Sequence, residues 1–145
     1  MLEQFYKALI GIDQSEVILP LFWIIYYDPL LCEINKLQLG YTVTQSIVKN
    51  VQFRDLDKEN VMISSQVYMD DVSWITDTSY KLESILQIAD EFNKLNNIQI
   101  NPDKFALMTN DTNALKDKSI KLNFGSHVQE IQLICPTKSV RILGA

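Results

Sequence analysis

Residues 61–75 read VMISSQVYMDDVSWI, with two strand-like halves around a polar centre. Residues 61–67 alternate with the period of two that is typical of a β-strand, and residues 72–75 resume the strand pattern. The sequence YMDD separates the two halves. The stretch therefore predicts a β-hairpin with two adjacent aspartates, Asp70 and Asp71, at its tip.

The clearest helical pattern follows the hairpin. Over residues 78–97 apolar side chains recur every three or four positions, as in an amphipathic helix. Thr78 or Ser79 can begin this helix, and Asn96 with Asn97 can end it. The strands predicted after this helix lie at residues 98–100, 105–108, 120–124, 128–134 and 140–143, the first two around a turn at 101–104.

Upstream of the hairpin, the sequence predicts another helix and another strand pair. Apolar side chains over residues 16–36 have helical spacing, and Pro29 is expected to kink or divide the helix. Residues 41–53 are rich in β-branched side chains, and the polar run 54–60 is expected to form the turn to the next strand. We therefore predict an α+β fold in which an antiparallel sheet carries the hairpin and two main helices pack on it.

The composition is that of an ordinary globular domain with an acidic balance. Of the 145 residues, 47% are hydrophobic and 21% are charged, so we expect a single folded domain over residues 1–145. The net charge of -5 is the wrong sign for a free-standing module that grips phosphates through a basic surface. Carboxylates that bind metal ions would add negative charge of their own, so net charge does not exclude a nucleic-acid enzyme.

Cysteine spacing and hydropathy bear on the compartment. Cys32 and Cys135 share no metal-binding or redox spacing. The most apolar run, residues 17–27, contains Pro20 and is shorter than the roughly 18 to 20 residues that span a bilayer. No secretory signal pattern opens the chain. We expect a reduced, intracellular protein of the cytoplasm or nucleus without a membrane segment.

The adjacent aspartates carry the most specific chemistry in the sequence. Carboxylate oxygens are the ligands that Mg²⁺ prefers, and the strands below a hairpin tip can hold two of them at fixed positions. Two-metal phosphoryl transfer uses such ligands to hold ions about 3.5 to 4 Å apart. An Asp-Asp pair alone is a weak signal, because aspartate is favoured in turns and most such pairs are only solvated.

Further motifs stand around YMDD in a fixed order. They are GIDQ at residues 11–14, PLF at 20–22 leading to YDPLL at 27–31, FNKL at 92–95 with INPDK at 100–104, and VRILG at 140–144. In order and spacing these motifs, with YMDD, resemble the reverse transcriptases of non-LTR retrotransposons. The resemblance covers nearly the whole chain and implies a partial polymerase palm.

The resemblance also implies roles for named residues. Asp70 would be a catalytic ligand of Mg²⁺ or Mn²⁺, and Asp71 its catalytic neighbour in the metal cluster. Tyr68 and Met69 would share the backbone strain of the turn and line the nucleotide and template site. Gln14 would lie along the same template and nucleotide pocket.

Lys104 is a further catalytic residue that the resemblance implies. It would lie near the incoming triphosphate, where an ammonium can offset charge on the leaving pyrophosphate or donate a proton to it. The alternative is a solvated lysine in a turn.

The sequence departs from the family pattern in its first part. Ser15 stands where the family has glycine after the glutamine, and Leu19 where it has serine before the proline. The family's first catalytic aspartate precedes the Gly-x-x-Gln motif, whereas residues 1–10 contain no aspartate. Because only two of three carboxylates are present, we expect weak metal binding and little or no turnover, with the upstream fingers and the downstream thumb absent.

Three functions are compatible with these motifs. The first is a fragment of an RNA-directed DNA polymerase, a nucleotidyltransferase whose parent acts on an RNA template, a DNA primer and dNTP. The second is a catalytically silent folded remnant that acts as an interaction or nucleic-acid-binding module, for which a basic groove is the discriminating feature. The third is an unrelated α/β domain whose Asp-Asp turn is incidental. The ordered motifs favour the first.

Overall fold

A computed structural model describes residues 18–50, 55–68 and 71–134. Within these residues the chain forms two α-helices, three small sheets and two short 3₁₀ turns, so the predicted α+β fold is confirmed. The elements are α1 (Leu19–Lys36), β1 (Tyr41–Asn50), β2 (Asp55–Ile63), β3 (Ser65–Tyr68), β4 (Asp71–Trp74), α2 (Ser79–Leu95), β5 (Leu107–Met108), β6 (Ser119–Asn123) and β7 (Val128–Ile134), with 3₁₀ turns at Pro102–Lys104 and Ala114–Lys116.

Helix α1 is continuous through Pro29. Of the two predicted effects of this proline, a kink or a division of the helix, the division does not occur. Proline removes one helical hydrogen bond, but Tyr27, Leu30 and Ile34 bury their side chains on either side of it. Their packing holds the helix together across the lost bond. No helix in the described part of the chain is long and apolar enough to cross a membrane.

Strands β1 and β2 form a long antiparallel ribbon, with register from Tyr41 opposite Ile63 to Asn50 opposite Asp55. The prediction of a turn over residues 54–60 is wrong, because residues 55–60 belong to β2. The side chains of residues 41–46 and 58–61 are exposed, so polar residues are tolerated within these strands. Strand segments whose side chains are exposed on both faces lack the alternating hydrophobicity that marks a half-buried strand.

The chain changes its pairing partner at Ser64. Strand β2 pairs with β1 up to Ile63, whereas β3 pairs with β4 from Ser65 opposite Trp74 to Tyr68 opposite Asp71. The single strand predicted over residues 61–67 is therefore two strands, and the predicted hairpin around the YMDD motif is confirmed.

Helix α2 agrees with its prediction at both ends. The Thr78 hydroxyl caps the first turn by accepting a hydrogen bond from the Lys81 amide at 3.3 Å. The helix ends at Leu95, and Asn97 follows in the left-handed region with φ of +54°. The apolar stripe buries Ile85, Leu86 and Ala89.

After α2, one predicted strand is missing. Residues 98–100 are not a strand, since no segment of the described residues pairs with them, and Asn101 caps the 3₁₀ turn that follows. Strand β5 pairs in parallel with β7, and β7 pairs antiparallel with β6. Strand β7 has its predicted bounds, β6 begins and ends one residue early, and the strand predicted at residues 140–143 lies outside the described residues.

Two apolar clusters meet beside the hairpin. The first joins α1, α2 and the segment after α1 through Tyr27, Leu30, Ile34, Leu39, Ile85 and Ala89, and the second joins α2 to β6 and β7 through Leu86, Leu122, Phe124 and Ile131. The half-buried Trp74 of β4 packs against both clusters. The hairpin is therefore held against the core through β4.

Candidate metal-binding hairpin

The β3–β4 hairpin has an inner and an outer face. Val67 and Val72 lie opposite each other, are half-buried and pack against the first apolar cluster. Because strand side chains alternate, Tyr68 and Asp71 lie on the other face, and both are exposed. Val67 and Val72 thus face the core, and Tyr68 and Asp71 face solvent.

Tyr68 and Asp71 form the last pair of the ladder. Side chains directly opposite in an antiparallel pair have Cβ atoms about 4.5 to 5.5 Å apart. Tyr68 is 57% exposed, so the phenol ring and the Asp71 carboxylate lie together at the turn end of the hairpin. This arrangement leaves the Asp71 oxygens accessible to a hard cation.

The other residues predicted for the hairpin site are not described. Asp70 and Met69 lie between β3 and β4, and Gln14 lies before α1, all three outside the described residues. Among the described residues, no group of three or more histidine, cysteine, aspartate or glutamate side chains could hold a metal ion. That finding does not extend to Asp70.

Lys104 lies at the end of the 3₁₀ turn Pro102–Lys104 and is exposed. Its amide donates to the Asn101 carbonyl at 3.1 Å. No hydrogen bond or ion pair joins Lys104 to Asp71, two residues that the structure does describe. The predicted turn is confirmed, and the catalytic role of Lys104 stays a prediction.

Ser64 anchors the base of the hairpin. Its hydroxyl donates to Asn35 Oδ1 at 2.9 Å, and its carbonyl accepts from the Ile75 amide at 2.8 Å. Ser64 is 5% exposed, and a buried hydroxyl of this kind requires a partner. Sequence reasoning missed this contact, since Asn35 lies 29 positions away; the one sign was a serine pair interrupting an apolar stretch.

A second set of contacts ties the segment after β4 to the segment after α1. Lys81 Nζ pairs with Asp77 at 2.9 Å and donates to the Gly40 carbonyl at 3.4 Å. The hydrogen bond from Lys81 lowers the pKa of Asp77. Gly40 is required, because a Cβ atom there would lie 2.6 Å from the Ile63 carbonyl oxygen.

A separate small cleft lies at the far end of α2, with a volume of about 200 Å³. Asp90 and Lys94 form an ion pair of 2.8 Å at its edge, and this contact is the main cause of the lowered pKa of Asp90. His127 stacks on Phe124 with ring centroids 5.2 Å apart. His127 directly precedes β7.

Comparison of the chain with protein-family models, curated proteins and solved structures finds no match.

Proposed function

We propose that this chain is part of the palm of an RNA-directed DNA polymerase of the non-LTR retrotransposon type, and that Asp70 and Asp71 bind Mg²⁺ or Mn²⁺. The observation that supports the proposal is the pairing of Tyr68 with Asp71, the first and last residues of YMDD, at the turn end of an antiparallel hairpin whose other face is packed on the core. An incidental Asp-Asp turn would need no such anchoring, whereas a metal site needs its ligands held in place.

The proposed reaction is attack of a primer 3′-hydroxyl on the α-phosphate of a dNTP, with release of pyrophosphate. Bound divalent ions would supply the activation of the hydroxyl and the neutralisation of charge on the phosphates. The chain's own contribution is to hold carboxylate oxygens at the hairpin tip. Asp71 begins β4, so its backbone is fixed by pairing with Tyr68.

Two further residues have proposed roles. The exposed ammonium of Lys104 would offset charge on the leaving pyrophosphate, which requires the triphosphate to bridge from the hairpin to the 3₁₀ turn. Gln14 would contact the template and nucleotide. Neither role requires contact with Asp71 in the absence of substrate.

We further propose that these 145 residues alone have little or no polymerase activity. Residues 1–10 contain no aspartate, so the hairpin contributes two carboxylates where three are used in the family. Two carboxylates can hold one ion weakly, but the geometry of two ions about 3.5 to 4 Å apart calls for more ligands.

Primer extension on an RNA template with Mg²⁺ tests the proposal. The samples are the chain, its Asp70→Ala/Asp71→Ala variant, an Asp111→Ala/Asp117→Ala control at exposed positions, and a longer chain with an aspartate-bearing segment upstream. We expect extension by the longer chain, retained with the control substitutions and abolished by Asp70→Ala/Asp71→Ala. Absence of extension from every sample would contradict the polymerase proposal and favour the silent remnant or the incidental turn.

A further inference from the structure

We infer that Ser64 and Asn35 are positioning residues for the metal site: they fix the β3–β4 hairpin to α1 and so set where Asp71 stands. This inference rests on the function proposed above. It concerns residues outside the YMDD motif that touch neither metal nor substrate.

The hairpin needs such a fixation because of how the chain is paired. Strands β2 and β3 follow each other with only Ser64 between them, yet β2 pairs with β1 and β3 pairs with β4. No strand pairing connects the ribbon to the hairpin within the described residues. An isolated two-stranded hairpin is marginally stable, so its orientation depends on contacts at its base and inner face.

Ser64 supplies the contact at the base through two different groups. The carbonyl closes the hairpin by accepting from the Ile75 amide at 2.8 Å, and the hydroxyl reaches Asn35 Oδ1 at 2.9 Å. Among the described residues, Ser64 is the one polar side chain in the buried class. The Ser64 end of this bond is buried and the Asn35 end is exposed, so breaking the bond leaves a buried hydroxyl without its protein partner.

The anchor on the helix side is rigid. Asn35 lies in the last turn of α1, directly after Ile34, which is fully buried in the first apolar cluster. The segment after α1 also contacts strand β2 just before Ser64, since Gly40 packs directly against the Ile63 carbonyl. The position of Ser64 is therefore determined by the helical core.

Small movements at this base are magnified at the tip. Asp71 and Ile75 are four residues apart in an extended strand, a distance of about 13 Å. Catalytic and metal ligands must be held within roughly 0.5 Å of their productive positions. A hairpin that pivots slightly at Ser64 would misplace the Asp71 carboxylate relative to Asp70 and the ion.

Mn²⁺ affinity of the 145-residue chain, measured by the electron paramagnetic resonance signal of free Mn²⁺, tests the inference. The variants are Ser64→Ala, Asn35→Leu and Asn35→Asp, the last of which keeps an acceptor oxygen for the serine hydroxyl. Ser119→Ala is the matched control, because it removes another serine hydroxyl bond, to Glu130 at 2.6 Å between β6 and β7. All titrations are run well below the unfolding midpoint of every variant.

We expect Ser64→Ala and Asn35→Leu to weaken Mn²⁺ binding several-fold, less than the roughly 10- to 100-fold typical of residues that hydrogen-bond a metal ligand directly. Asn35→Asp and Ser119→Ala should bind as the parent chain does. A merely structural role would lower the unfolding midpoint without changing the affinity of the folded protein.

Two other outcomes overturn the inference in distinguishable ways. If Asp70→Asn/Asp71→Asn abolishes Mn²⁺ binding but Ser64→Ala and Asn35→Leu leave it unchanged, the metal site stands and the positioning role is wrong. If Mn²⁺ binding is absent, or is unchanged in Asp70→Asn/Asp71→Asn, the proposed metal site fails and the inference fails with it. Should Ser64→Ala not fold, the comparison of Asn35→Leu with Asn35→Asp tests the inference by itself, because Asn35 is exposed.

Discussion

Tyr68 and Asp71 are direct partners across the β3–β4 hairpin, and both side chains are exposed at its turn end. One residue earlier on β3 and one later on β4, Val67 and Val72 pair on the opposite face and pack on the core. The same four residues therefore show why the hairpin is stable and why its carboxylate is accessible.

Ile85 supports the hairpin from α2 and should be among the most costly side chains to truncate. It is fully buried in the first apolar cluster, against which Val67, Val72 and Trp74 pack. Ile85→Ala should lower the free energy of unfolding by about 2 to 5 kcal/mol, measured by urea unfolding. Leu95→Ala, on the same helix but 84% exposed, should change it by less than about 0.5 kcal/mol. Equal losses would contradict the described packing.

Thr78 should contribute to the stability of α2 as its cap. Its hydroxyl accepts the Lys81 amide at 3.3 Å, so Thr78→Ala should cost about 1 kcal/mol in the free energy of unfolding. Ser79→Ala is the control, because Ser79 is exposed at the first helical position and its side chain has no assigned partner among the described residues. A control loss as large as that of Thr78→Ala would rule out the capping contact.

Asp90 should make stability depend on acid. The hydrogen bond from Lys94, helped by Ser126 and by the nearby His127, lowers its pKa below the usual value of 3.8. A carboxyl whose pKa is lower in the folded state stabilises the fold above the unfolded pKa. This contribution is lost as the pH falls below about 4, towards the folded pKa.

Urea unfolding at pH 7 and at pH 3 measures this dependence. Asp90→Asn should be less stable than the parent chain at pH 7 and should lose less stability between the two pH values. Asp117→Asn, at an exposed aspartate without an ion pair among the described residues, should keep the parent pH dependence. A parent-like pH dependence in Asp90→Asn would show that the ion pair does not contribute.

The elements that could be predicted from the sequence are those whose pattern is local. Helix α2 combines helical spacing with a threonine cap and an asparagine stop, and the hairpin combines two short strands around a distinctive motif. The β1–β2 ribbon differs from its prediction, because a polar run such as residues 55–60 has the composition of a turn, whereas strand side chains that are exposed, as at 41–46 and 58–61, can be polar. Residues 98–100 have strand-forming side chains, but within the part of the chain that the structure describes no strand pairs with them.

The candidate site likewise has residues that a local motif predicts and a contact that no local pattern predicts. The YMDD motif predicts Asp70 and Asp71 as metal ligands from the sequence alone. The structure describes Asp71 as exposed, and the metal-binding role of the two residues stays a prediction. The contact between Ser64 and Asn35 could not be predicted, because it joins a helix end to a strand break 29 positions apart. Contacts of this kind depend on how the elements pack, and no local pattern encodes the packing.

We propose that a divalent cation binds at the turn end of the hairpin, beside Tyr68. Terbium is a hard cation that favours oxygen ligands, and its emission is sensitised by a nearby phenol or indole ring. The direct measurement is Tb³⁺ emission on excitation of the aromatic side chains, for the chain, for Tyr68→Phe and for Asp70→Asn/Asp71→Asn, with Asp111→Asn/Asp117→Asn as the charge-matched control.

We expect sensitised emission from the chain and the control, displaced by Mg²⁺ or Mn²⁺, reduced in Tyr68→Phe and lost in Asp70→Asn/Asp71→Asn. If Asp70→Asn/Asp71→Asn gave emission as strong as that of the unsubstituted chain, the bound cation would lie elsewhere, which would contradict the proposed metal site.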